Sequence, residues 1–150
     1  MSDFTSHMPR ALDEARAAAG RGEVPVGAVI TDAQGNIIAS SGNRTREKSD
    51  PTAHAEIEVI RAACRIAGSE RLPGYQIWVT LEPCPMCAAA ISAARIARLY
   101  YGANDPRMGG VRHGAKVFDH PQCHHRPEIT DGLSATESRD LLQEFFGKRR

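Results

Sequence analysis

Four residues in two short clusters carry the chemical potential of this chain: His54 and Glu56 in His-Ala-Glu, and Cys84 and Cys87 in Pro-Cys-Pro-Met-Cys. One imidazole and two thiolates are zinc donors, and three donors leave one tetrahedral position open to water, which separates catalytic zinc sites from closed structural ones. Zinc lowers the pKa of such a water from about 15.7 to about 7. A carboxylate two residues from the histidine can meet that water without joining the metal, which makes Glu56 the candidate proton shuttle. Each cluster is expected at the start of a helix, where unpaired N–H groups and the helix dipole favour the thiolate form.

Two other chemistries use part of this pattern. A Cys-Pro-x-Cys between a strand and a helix is also the arrangement of glutaredoxin-like redox proteins, although such a protein has no use for His-Ala-Glu. A fourth ligand from Cys64, Cys123, His120, His124 or His125 would instead close the site into structural zinc and make the chain a binding module. One equivalent of zinc without thiol-disulfide exchange separates the first rival.

The elements that must position these residues can be read from periodicity. Residues 8–19 have Leu12, Ala15 and Ala19 on one helical face, residues 24–31 read as a buried strand, and the turn at 32–36 leads to a partner strand at 37–41. Thr52 is expected to cap a helix running through His54 to about Ala67, ended by Gly68. A strand at 75–81, a helix from Pro85 to about Arg95 and a strand at 96–102 complete a β-α-β-α-β order. The connection over 103–127 could hold a short helix around 115–118, and its length favours a parallel final strand at 128–130. A helix from Ser134 has Leu141, Leu142, Phe145 and Phe146 on its apolar side, so a mixed sheet with helices on both faces is expected.

With 150 residues, 41% hydrophobic and 25% charged, the chain suits a single domain over 1–150. No apolar run approaches the roughly 20 residues that cross a bilayer, and the first 20 residues carry acids and arginines, so a cytoplasmic location with reduced or metal-bound cysteines is expected. The net charge of +1 decides nothing about nucleic acid, but cations gather in residues 95–126 and at Lys148, Arg149 and Arg150.

At these residues the chain resembles the cytidine-deaminase-like zinc superfamily, and within it the bacterial tRNA-specific adenosine deaminases. The similar stretches are 23–29 (EVPVGAV), 42–44 (GNR), 50–57 (DPTAHAEI), 80–90 (TLEPCPMCAAA), 102–105 (GAND) and 145–150 (FFGKRR). The resemblance implies an α/β, three-layer cytidine deaminase-like fold with a mixed five-stranded sheet. It also implies one Zn2+ per subunit and hydrolytic deamination of adenosine to inosine at the tRNA wobble position by zinc-activated water. It further implies that Asn43 hydrogen-bonds the base or its ribose, that the Ala55 backbone N–H helps to hold the base, and that Asp105 lies near the ribose. Phe146, Lys148, Arg149 and Arg150 would meet the anticodon stem-loop, and the chain would form a homodimer. From the residues alone, Asn43 reads as a turn residue and Asp105 as a loop cap. Related deaminases of free guanine and cytosine share DPTAHAE and Pro85. The basic stretch and basic C-terminus tilt the choice toward RNA, since a free base needs no phosphate-binding surface.

Overall fold

The computed structural model describes residues 4–147. Five strands, β1 (Gly27–Thr31), β2 (Ile37–Gly42), β3 (Gln76–Leu81), β4 (Arg98–Ala103) and β5 (Glu128–Thr130), form one sheet in the order β2-β1-β3-β4-β5. β1 is antiparallel to both β2 and β3, while β3, β4 and β5 run parallel. The sheet is therefore mixed, and the long connection before β5 ends in a parallel strand as its length requires. The β1–β2 hairpin closes on Asp32, whose carboxylate accepts the N–H groups of Gln34 and Asn36.

Helices α2 (Ala55–Ala67) and α3 (Pro85–Ala93) cover one face, where Val59, Ile60, Ala63, Ala88 and Ile91 bury against Ala28, Ile30, Ile77, Val79, Leu99 and Tyr101. Helices α1 (Met8–Gly20) and α4 (Ala135–Gly147) cover the other, with Met8 and Ala11 against Val29, Trp78 and Tyr100. Alternate residues of β1, β3 and β4 thus face opposite layers, so these strands are buried on both sides. α1 lies so close to β1 that a Cβ on Gly27 would stand 1.9 Å from the Ala11 carbonyl oxygen. Only a residue without a side chain fits there. Among the described residues no helix is long and apolar enough to cross a membrane.

Several boundaries differ from expectation for local reasons. β1 starts at Gly27, not at 24, because Pro25 has no N–H and the Val26 N–H turns back to the Val24 carbonyl at 2.8 Å. Thr52 does not cap α2. Its N–H and hydroxyl both bond Asp50 Oδ1, the helix begins at Ala55, and His54 occupies the cap position. The short helix expected around 115–118 is a single 3-10 turn, Val117–Asp119. On α4, Leu141, Leu142 and Phe145 are half-buried and Phe146 is 50% exposed, so the second phenylalanine does not pack on the sheet.

Candidate active site

The carboxyl ends of β3 and β4 and the N-termini of α2 and α3 converge on a cleft of about 250 Å3, where open α/β sheets tend to place ligands. His54 and Cys84 are the cap residues of α2 and α3, both in extended backbone and neither bonding its own helix through its side chain. Their side chains are thereby free to turn toward each other. Cys87 lies within the first turn of α3, and its Sγ is 3.5 Å from His54 Nδ1, while Cys84 Sγ is 3.6 Å from the same nitrogen. Tetrahedral zinc, with Zn–S about 2.3 Å and Zn–N about 2.0–2.1 Å, sets its nitrogen and sulfur ligands about 3.6 Å apart. The donor set therefore has both the chemistry and the spacing of a zinc site. Among the described residues it is the only group of three or more His, Cys, Asp or Glu that could hold a metal. Cys64, Cys123, His120, His124 and His125 are not part of it.

Electrostatics distinguishes the two thiols. A hydrogen bond from Cys87, with a further bond and charge from His54, outweighs burial and lowers Cys84 to about 4. Cys87 is pushed well up by that same bond, by burial and by the Glu56 charge. A divalent cation among the three donors removes this opposition, because both sulfurs then face positive charge. His54 is raised, first by its bond to Cys84, against burial. Glu56, in the first turn of α2 and 3% exposed, is driven up to about 7, chiefly by burial.

Two further buried carboxylates shape the walls, and neither was singled out from the sequence. Glu23 accepts the Arg46 and Glu47 N–H groups and the Thr45 hydroxyl, which ties down the loop after Asn43. Glu82, 2% exposed just beyond β3, accepts the N–H groups of Asp105, Val111, Arg112 and His113 together with the His113 ring. Burial by itself would raise both carboxyls, but these donors outweigh it and hold both below the ordinary carboxylate value.

Residues 1–103 match the family described as the cytidine and deoxycytidylate deaminase zinc-binding region. The chain belongs to that family. It is 57% identical over 150 residues to a tRNA-specific adenosine deaminase of Agrobacterium fabrum, covering 100% of this chain and 98% of that protein. A tRNA-specific adenosine deaminase of Rickettsia bellii is 49% identical over 144 residues, covering 95% and 99%. A chain solved in a study of A-to-I editing by tRNA:A34 deaminases superposes with a TM-score of 0.88 at 59% identity, covering 90% of this chain and 97% of that one. This deaminase is thus a zinc enzyme with the cytidine deaminase-like fold, and the redox and structural-zinc alternatives fall away.

The other expected site residues are placed unevenly in this deaminase. Asn43 and Asp105 line the cleft with His54, Glu56 and Cys84. The Ala55 N–H, expected to point to a base, instead donates to Asn43 Oδ1 at 2.9 Å, so Asn43 supplies the cap that Thr52 does not. Asp105 Oδ1 accepts the Arg107 and Met108 N–H groups, as a loop cap does. Phe146 sits exposed on α4, edge-on to Phe145. Lys148, Arg149 and Arg150 lie outside the described residues. The basic stretch is partly consumed internally: Arg98 pairs with Glu128, Arg126 with Asp119, and Arg95 donates to the Ser92 carbonyl. Ser92, Cys123 and His125 form struts, the first two donating to the His125 carbonyl and the third bonding the Ile96 carbonyl. All four cysteines are free.

Proposed function

We propose that this chain converts adenosine to inosine at the wobble position of tRNA, consuming water and releasing ammonia. The observation that carries this reading is 57% identity across the whole chain to a tRNA-specific adenosine deaminase. His54 Nδ1, Cys84 Sγ and Cys87 Sγ would hold the zinc. Zinc, when bound, supplies a Lewis acid that lowers the pKa of water to about 7. Glu56 takes a proton from the attacking water and passes it to the purine ring nitrogen as the C6–O bond forms. The second proton of that oxygen then passes through the same carboxyl to the amino group, so that the C6–N bond breaks with ammonia leaving and a C6 carbonyl remaining. A carboxyl raised to about 7 suits a group that must both accept and give back a proton.

Asn43 and Asp105 would orient the substrate. Because Asn43 Oδ1 accepts the Ala55 N–H, its amide nitrogen is left to donate to an acceptor on the base or ribose. Asp105 keeps Oδ2 for a ribose hydroxyl, since Oδ1 is engaged in its own loop. A cleft of about 250 Å3 suits one base, so the target must leave its stack, which costs least in a single-stranded anticodon loop. Phe146 and the basic Lys148, Arg149 and Arg150 would meet the stem-loop as a stacking side chain and phosphate partners. A homodimer acting in the cytoplasm completes the reading. Sedimentation of the purified protein checks the homodimer.

The deciding experiment offers the purified, zinc-loaded protein tRNA with adenosine at the wobble position alongside free guanine, cytosine and adenosine. Inosine in the tRNA is expected. Ammonia from a free base, with the tRNA unchanged, would replace this reading with a free-base deaminase.

A further inference from the structure

Glu56 and Asp105 have roles in the proposed reaction, whereas Glu82, the remaining carboxylate lining the same cleft, has none. It is among the most heavily bonded side chains in the fold. Oε1 accepts the Asp105 N–H at 2.9 Å and the His113 Nδ1–H at 2.7 Å, and Oε2 accepts the N–H groups of Val111 at 3.1 Å, Arg112 at 2.8 Å and His113 at 3.1 Å. A carboxylate only accepts, so the His113 proton must sit on Nδ1. The loop backbone lies directly on this group: a Cβ on Gly109 would stand 2.5 Å from Glu82 Cδ and 2.6 Å from Oε2. Asp105 passes the constraint on, since its Oδ1 accepts the Met108 N–H and its carbonyl accepts the Gly109 N–H. Met108, 66% exposed, then stands as an apolar side chain at the cleft.

We infer that Glu82 is a positioning residue for substrate capture: its carboxylate clamps the 105–113 loop so that Asp105 and Met108 flank the cleft at the spacing the flipped nucleotide needs. This rests on the reading of RNA as the substrate. Glu82 reaches the reaction only through those two residues, so it governs binding of the RNA and not the proton transfers of Glu56. A glutamine at position 82 keeps the shape but turns one acceptor into a donor. Turned toward Oε2 it would oppose three N–H groups. Turned toward Oε1 it meets His113, which can move its proton to the other nitrogen and accept, and the Asp105 N–H, which cannot. The bond surrendered is therefore the one to Asp105.

The test compares zinc-loaded wild type, Glu82→Gln and Gly109→Ala on an anticodon stem-loop RNA with adenosine at the wobble position. KM should rise about tenfold or more in Glu82→Gln, the scale of one lost charge-assisted hydrogen bond, and should rise also in Gly109→Ala, whose added methyl pushes the loop off the carboxylate, with kcat and zinc stoichiometry unchanged in both. Amide hydrogen exchange should accelerate in residues 105–113 and stay as in wild type in α2 and α3. An unchanged KM in either folded variant, or a loss confined to kcat, overturns the inference. Should Glu82→Gln fail to fold, Gly109→Ala and His113→Ala decide by the same criteria. A wild type inactive on this RNA counts against the substrate reading instead, and the exchange measurement then decides by itself whether Glu82 holds the loop.

Discussion

Replacing Glu56 with glutamine separates what this carboxyl costs the fold from what it does for the reaction. In the unfolded chain it ionises at its ordinary 4.5, and burial in the fold raises it to about 7. Stability contributed by the neutral, buried form is fully present below 4.5 and is lost as pH rises toward about 7. The difference between about 7 and 4.5, at about 1.36 kcal/mol for each pH unit, comes to about 3 kcal/mol. Glu56→Gln has the same shape and no charge. It should therefore stabilise the zinc-free protein by about 3 kcal/mol at pH 8 and by less than about 1 kcal/mol at pH 5. Urea unfolding of chelator-treated wild type and variant at the two pH values measures this. In the zinc-loaded enzyme the same substitution should lower kcat by roughly 10²–10⁴-fold while zinc is retained. A zinc-free variant no more stable than wild type at pH 8 would refute burial as the cause of the raised pKa. Turnover at the wild-type rate would remove Glu56 from the proton path.

Gly27→Ala drives a methyl to within 1.9 Å of the Ala11 carbonyl and 2.7 Å of the Ala15 nitrogen, so α1 must separate from β1, and thermal melting should report a loss of at least about 2 kcal/mol. Asn43→Ala leaves the Ala55 N–H without its acceptor at the start of α2. It should cost about 1 kcal/mol in denaturant titrations and also raise KM, whereas an unchanged KM would confine Asn43 to capping. Replacing Lys148, Arg149 and Arg150 together with alanine should reduce the slope of log Kd against log salt for RNA by about 2, and an unaltered slope would take them out of the interface.

The His54, Cys84 and Cys87 cluster was legible as a candidate zinc site because ligation depends on donor type, and because Pro85 marks the start of a helix inside the cysteine motif. The parallel direction of β5 was legible from the length of the connection before it, since a short hairpin joins antiparallel strands and a long crossover allows parallel ones. Where expectation failed, a distant partner had displaced a near one. Thr52 is the closest capping residue to α2, yet Asp50 engages it and Asn43, twelve residues before Ala55, takes its place. Arg98 and Arg126 look available for phosphate in the sequence and are ion-paired in the fold.

Residue types and local spacing alone determined that this chain carries a three-donor zinc set with a nearby carboxylate, each half at the start of a helix, within alternating strands and helices. Only the tertiary structure decided what Glu23 and Glu82 do. The glutamate proposed for proton transfer and the one inferred to hold a loop are the same residue type in the sequence. The parallel pairing of β3 with β4 brings the N–H groups of residues 105–113 onto a carboxylate more than twenty positions earlier, and that convergence exists only in three dimensions. A buried carboxylate is neutral or ionised according to the donors that reach it, which is why Glu56 is raised to about 7 while Glu82 is held low.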